Sequence, residues 1–226
     1  MTEHYVGDFP LILRRHPRAR QLKLRFDAQE GAARITLPPG VSDRKAVQFA
    51  HKHHDWIQAQ SDSSPKRIRF LPGETIPYQG CNFRILHDRD LPARVTIEGR
   101  SLRVGGPGEG FEKRLENWLK KQARLALLAA VEQFTPHVSP KPHTVSVRDT
   151  KSRWGSCSSR RTLSFSWRLI MAPPEILSYV VAHEMAHLKE MNHGPNFWKI
   201  VAHLDPEWKE SRRWLKTEGS RLMVIG

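Results

Sequence analysis

Apolar and polar residues alternate through much of the first hundred positions. In LILRRH (11–16), QLKLRFD (21–27) and ARITLPPG (33–40) the apolar side chains recur at every second place, and the pair Pro38-Pro39 ends the third run. That period belongs to strands with one buried face, and the three runs predict a small antiparallel sheet. The period then lengthens. Ser42 or Asp43 opens a helix in which Ala46, Phe49, Ala50, His53 and Ile57 share one face. SDSSPK (61–66) reads as a loop. IRFLPGETIPYQGCNFRIL (68–86) reads as short strands divided by Pro72-Gly73 and Gln79-Gly80, and ARVTIEG (93–99) and SLRVGG (101–106) as two more. The glycine-rich GGPGEG (105–110) is the strongest linker in the chain and predicts a division into residues 1–106, β-rich with one helix, and residues 107–226.

Beyond the linker, Leu115, Trp118, Leu119, Gln122, Leu125, Ala126 and Ala129 form a helical stripe that Pro136 stops. HTVSVRD (143–149) and TLSFSWRLIM (162–171) are β-rich runs joined by the polar loop KSRWGSCSSRR (151–161). Pro173-Pro174-Glu175 starts a helix that continues to Gly194-Pro195, where a shorter one begins, with Phe197, Ile200, Val201 and Leu204 on its apolar face. A last helix starts near Pro206 and takes in Trp208 and Trp214. No internal repeat and no low-complexity tract is visible.

The helix after Pro174 holds the chemistry. His183 and His187 lie four residues apart, so both imidazoles leave one helix face about a turn apart, as two nitrogen ligands of one tetrahedral zinc require. Glu184 follows the first histidine, which sets its carboxylate beside the metal as general base for an activated water. A catalytic zinc needs a third protein ligand. His193 stands six residues past His187, just before Gly194-Pro195 can turn the chain back; Glu190 is the rival. The spacing HExxHxxxxxH is that of metzincin proteases, without their usual glycine, whose place Glu190 takes. Cys157, in Trp154-Gly155-Ser156-Cys157, invites a nucleophile reading, but the histidine it would need is committed to zinc; the loop is better read as lining the cleft, with TLSFSW offering a strand edge to an extended peptide.

Composition narrows the class without choosing the reaction. Of 226 residues, 38% are hydrophobic and 27% charged, an ordinary globular balance. The two cysteines make no disulfide scaffold, no basic and apolar leader opens the chain, and no run approaches a membrane span, so a cytoplasmic location is expected. The formal net charge of +14 suits polyanions, nucleic acid or nucleotides.

RWGSCSSRRTLSFSWRLIMAPPEILSYVVAHEMAHLKEMNHGPNFW (153–198) resembles the YgjP-like metallopeptidase domain family, which is related to the SprT-like and WLM zinc peptidases. The specific pieces are the WGSC loop, APPE…YVVAHE and NHGPNFW. The resemblance runs over nearly the whole chain and implies zinc on His183, His187 and His193 with Glu184 as acid and base. Ser166 departs from it, family members often having Asn there. The expected architecture is α+β, a β-rich N-terminal part followed by a zincin-like unit built on an HExxH helix. The expected activity is zinc-dependent hydrolysis of peptide bonds in a protein or peptide substrate. The alternatives are a nucleotide pyrophosphohydrolase using the same site and a DNA-associated protease of SprT-like kind.

Overall fold

A computed structural model describes residues 4–28, 30–65, 67–150 and 153–226, which leaves Lys66 of the first predicted loop and Lys151 and Ser152 of the second outside the described residues. Among them are three small sheets and seven helices in mixed α and β order. The chain forms two compact units, residues 1–67 and 68–226.

In the first unit, β1 (His4–Val6), β2 (Phe9–Arg15), β3 (Lys23–Asp27) and β4 (Ala32–Leu37) make a sheet in the order β1-β2-β4-β3. The expected all-antiparallel sheet is corrected here. β3 folds back as the hairpin partner of β4, so β4 lands parallel to β2, with Leu11 opposite Ala33 and Leu13 opposite Ile35. α1 (Asp43–Lys52) is capped by Ser42, whose hydroxyl accepts the Lys45 N–H at 3.3 Å. The one helix expected here is two. His53 Nδ1 pairs with the Phe49 carbonyl at 2.8 Å, and at this break α1 ends and α2 (His54–Ser63) begins. Val6, Leu11, Ile35, Leu37, Ala46, Ala50 and Ile57 form this unit's own core.

The second unit starts with β5 (Thr75–Tyr78), β6 (Cys81–Asp88), β7 (Val95–Glu98) and β8 (Ser101–Gly105), in the order β5-β6-β8-β7. Its pairings are antiparallel, parallel and antiparallel, as in the first sheet, and each sheet is followed by a helix. The topology therefore repeats, although the sequence shows no repeat. What recurs is a pattern of strand lengths and turn glycines, too sparse to stand out as residue identity.

α3 (Phe111–Phe134) buries Phe111, Leu115, Leu119, Ala123 and Leu127 in one core with Ile76, Ile85, Leu102 and Val104 of the sheet before it. The glycine-rich run at 105–110, where a division was expected, lies inside this unit; it is a sharp turn between packed elements. β9 (Thr144–Arg148), β10 (Gly155–Cys157) and β11 (Thr162–Ser166) form the third sheet, ordered β10-β11-β9. β11 is its central strand, so the edge predicted for TLSFSW is already paired on both sides, and the open edges belong to β9 and β10.

Residues 167–171 leave the strand as a 3-10 turn, and α4 (Pro174–Ala186) follows. The β5–β6 turn fixes its start. Gln79 and Gly80 take φ of 49° and 75°, and their N–H groups donate to the Ile170 and Met171 carbonyls at 2.8 and 3.2 Å. A Cβ on Gly80 would stand 3.0 Å from Pro173 Cα, so the turn must be glycine at its second place. α4 is buried nearly all round, with Ile176, Leu177, Val180, Val181, Ala182, Met185 and Ala186 in the core. α5 (Pro195–Leu204), α6 (Trp208–Thr217) and α7 (Gly219–Met223) complete the unit. Ile68 and Ile225 pair as a parallel bridge that brings the unit's first residue to its C-terminal end. No described helix is long and apolar enough to cross a membrane.

Candidate metal centre

α4 ends sooner than its sequence pattern suggests. Its last residue is Ala186, His187 is the cap, and the chain turns through residues 188–193 before α5. That early stop brings the third histidine back. Ligand atoms of His183, His187 and His193 lie within 4.8 Å of one another, the one such group among the described residues. His183 Nε2 and His193 Nε2 stand 3.1 Å apart. Two nitrogens of a tetrahedral zinc at ordinary bond lengths would be about 3.3 Å apart, so the spacing fits the ion.

The protonation states fit it too. Burial, then the neighbouring His187, His193 and Arg212, lower His183 to about 3, and burial lowers His187. His187 Nδ1 pairs with the Glu190 carbonyl at 3.0 Å, so this nitrogen carries the proton and Nε2 is left with a free lone pair. Glu190 thus serves the triad through its backbone oxygen, and its carboxylate is no part of the cluster. His183 Nδ1 is buried without a hydrogen-bond partner.

Beneath the three rings lies Phe197, fully buried, at centroid distances of 4.9, 4.5 and 4.7 Å. Trp198 clamps the third histidine. Its indole N–H donates to the His193 carbonyl at 3.1 Å, and its ring stacks on Trp208 at 4.4 Å.

Glu184 projects from α4 against β10 and is 6% exposed. Burial lifts its carboxyl to about 7, against the opposing charge of Arg153. Gly155 makes room for it: a Cβ there would fall 2.6 Å from Glu184 Cγ and Oε1. Burial, and then the Glu184 charge, push the Cys157 thiol up, which leaves it a poor nucleophile.

The family model for the YgjP-like metallopeptidase domain matches residues 20–218. The chain belongs to that family. Membership makes it a metal-dependent hydrolase, with a divalent metal implied and a three-histidine site to hold one. A UTP pyrophosphatase of Escherichia coli (strain K12) is 38% identical over 48 residues, covering 20% of this chain and 29% of that protein. The chain thus spans under a third of the length of the curated relative it matches. No solved structure matches it.

In this YgjP-like chain the structure adds two arginines that the sequence did not single out. The Arg212 guanidinium lies 4.9 Å over the Trp198 ring, whose centroid is 5.9 Å from those of His183 and His193. Arg153, two residues before Gly155, acts electrostatically on Glu184. Neither guanidinium forms an ion pair within 4 Å among the described residues, although Arg153 feels the Glu184 charge. Tyr179, one turn before His183 and at 5.9 Å from its ring, is pushed up to about 12 by burial, so its hydroxyl stays protonated. His203 turns elsewhere, its ring 6.3 Å from that of His137, while His53 is engaged with Phe49 and His54 with Asp55. Ser166 accepts the Arg168 N–H and is fully buried, a structural cap for the turn before α4.

Proposed function

We propose that this chain is a zinc-dependent peptidase of zincin-like design. His183, His187 and His193 hold the metal, and Glu184, beside the first of them on α4, is the general base. The observation that carries the reading is a buried carboxyl lifted to about 7 next to three converging imidazoles. A bound zinc supplies a Lewis acid for the scissile carbonyl and lowers the pKa of water. The chain's own residues do the rest. Glu184 takes the proton from the attacking water and passes it to the leaving amine, and a carboxyl titrating near neutrality exchanges protons well in both directions. Gly155 and the buried flank of α4 hold that carboxylate in place. β10, at the open edge of its sheet and packed on α4, supports peptide cleavage, because an extended substrate can add there as a further strand. Two free cysteines suit a reducing cytoplasm.

A second reading keeps the site and changes the substrate. Arg153, which acts on Glu184, and Arg212, which acts on His183, suit the charge of a phosphoanhydride, and the matching relative is named as a UTP pyrophosphatase. One experiment separates the two. Zinc-loaded protein, Glu184→Gln and His193→Ala are each offered an unfolded protein and nucleoside triphosphates. Glu184-dependent proteolysis, with zinc lost from His193→Ala, supports the peptidase. Glu184-dependent pyrophosphate release without proteolysis selects the second reading. Failure to bind zinc refutes both.

A further inference from the structure

Away from the metal centre, α3 and the end of β9 enclose an open hollow of about 380 Å³, lined by Lys120, Lys121, Arg124, Arg148, Asp149 and Trp167 with Val147. Its charges do not balance. The sole acid lining it, Asp149, is committed to the buried Arg168, whose Nε also donates to the Ile225 carbonyl at 3.1 Å. Burial alone would raise the Asp149 carboxyl, but Arg168, the Trp167 indole N–H and Lys120 outweigh it and hold the carboxyl below its usual range. Lys120 is paired with Glu116 at 2.5 Å. Lys121 and Arg124 are exposed and have no acidic partner among the described residues. Among the described residues, Arg148 reaches the Ser146 hydroxyl, at 3.4 Å, and no acid.

Three uncompensated cations therefore surround one concave site on a chain of net charge +14. Like charges held this close repel one another, and an anion in the hollow would relieve that repulsion. Lys121 and Arg124 stand about 4.5 Å apart along the helix axis, on neighbouring turns, and Arg148 lines the same hollow from β9. The hollow offers few hydrogen-bond acceptors for reading bases, so it suits a repeating, sequence-independent polyanion.

We propose that this hollow is a docking site for the sugar–phosphate backbone of single-stranded nucleic acid. Lys121, Arg124 and Arg148 contact its phosphates, and Lys120 and Arg168 supply background potential. The site is separate from the metal centre: none of its residues belongs to the triad, to Glu184 or to their supports.

The test uses the full chain and a fluorescein-labelled 20-nucleotide strand, with anisotropy read over a range of salt. Lys121→Gln, Arg124→Gln and Arg148→Gln are combined in one variant. A control variant combines Arg44→Gln, Lys45→Gln and Lys52→Gln, three exposed cations of α1, and removes the same charge. Loss of three phosphate contacts from a single strand should lower the slope of log affinity against log salt by about 2, and weaken binding roughly tenfold or more at physiological salt. The control should keep its slope. Equal weakening of both variants, or an unchanged slope in the first, overturns the proposal. Photocrosslinking of the wild-type chain to a thymidine-rich strand is a second measurement that needs no variant. Crosslinks on peptides of α3 and β9 are expected, and crosslinks confined to other elements overturn the docking site. The triple variant should keep wild-type zinc content and hydrolytic rate, which checks that it folds.

Discussion

Replacing Gly155 by Ala tests how Glu184, the proposed general base, is held. Gly155 lies in a β10 strand of ordinary backbone conformation, so alanine adds no backbone strain, only a methyl group. That methyl would stand 2.6 Å from Glu184 Cγ and Oε1 and 2.8 Å from Cδ, where ordinary contact begins near 3.4 Å. The shortfall is about 0.8 Å (3.4 − 2.6), and either the carboxylate or the strand must retreat by it. Glu184 is 6% exposed and walled by α4, so it has little space to accept the move. Forcing a side chain off its rotamer costs about 1 kcal/mol, and overpacking a filled site about 1–3 kcal/mol of stability. Misplacing a catalytic group by about 1 Å costs roughly 100-fold in rate, or about 2.7 kcal/mol of barrier. The expected outcome is therefore a kcat about 100-fold lower, with KM and zinc content near wild type, because the three histidines are not displaced. Steady-state kinetics on a cleaved peptide, elemental analysis and a thermal melt read the three quantities. Hydrolysis within threefold of wild type would refute the placement of Glu184 against β10 as the source of its positioning.

Three further outcomes follow from the same geometry. Glu184→Gln keeps the shape and the zinc but cannot take a proton, so turnover should fall by roughly 10² to 10⁴ while elemental analysis still finds zinc. Trp198→Phe removes the N–H that holds the His193 carbonyl at 3.1 Å, and zinc affinity measured by competition with a chelator should weaken about tenfold, with Glu184 chemistry intact in the loaded protein. Arg168→Ala leaves Asp149 and the Ile225 carbonyl without their donor, a loss of about 2–3 kcal/mol by chemical denaturation, at the low end for a buried pair because Asp149 is half exposed. The folded Asp149 carboxyl lies below its unfolded value of 3.8, so its contribution is complete above that pH and fades as pH falls through the lower folded value. The gap between wild-type and Arg168→Ala melting temperatures should thus hold from pH 7 down to about 4 and narrow only below it.

Much of this was legible in the sequence because it rests on short-range periodicity. β2 to β8, α3 and its stop before Pro136, and the helix opened by Pro173-Pro174 appear where alternation and proline placement put them, whereas β1 was not expected and the run at 68–71 is only a bridge at Ile68. The spacing of His183, His187 and His193 pointed to their meeting because a helix and one turn are local objects. What escaped was long-range. A parallel pairing such as β2 with β4 depends on where the intervening strand folds back, which alternation does not encode. TLSFSW reads as a strand, but nothing in its residues says that it is central and that its neighbours take both edges. The division of the chain was drawn at glycines, whereas Ile85, Leu102 and Leu115 share one core across them. Arg212 and Trp198 lie fourteen positions apart in sequence and meet only through the packing of α5 and α6.

In the proposed reading, substrate choice would rest on such distant residues. Three imidazoles and a carboxylate set up hydrolysis and say little about the bond to be cut, since a carbonyl and a phosphoryl oxygen make similar demands on a Lewis acid and a base. Discrimination comes from what lies a few ångströms outward. β10 presents backbone donors and acceptors, which reward an extended peptide; Arg153 and Arg212 present charge, which rewards phosphate. The two features respond differently to substitution. Neutralising both arginines should raise KM steeply for a triphosphate and change little for an uncharged peptide, whereas blocking the β10 edge should do the reverse. A double variant, Arg153→Gln with Arg212→Gln, that cleaves an uncharged peptide at the wild-type rate would assign the strand edge as the substrate-binding element. One that loses peptide cleavage while keeping its zinc would mean that the arginines act on the reaction itself.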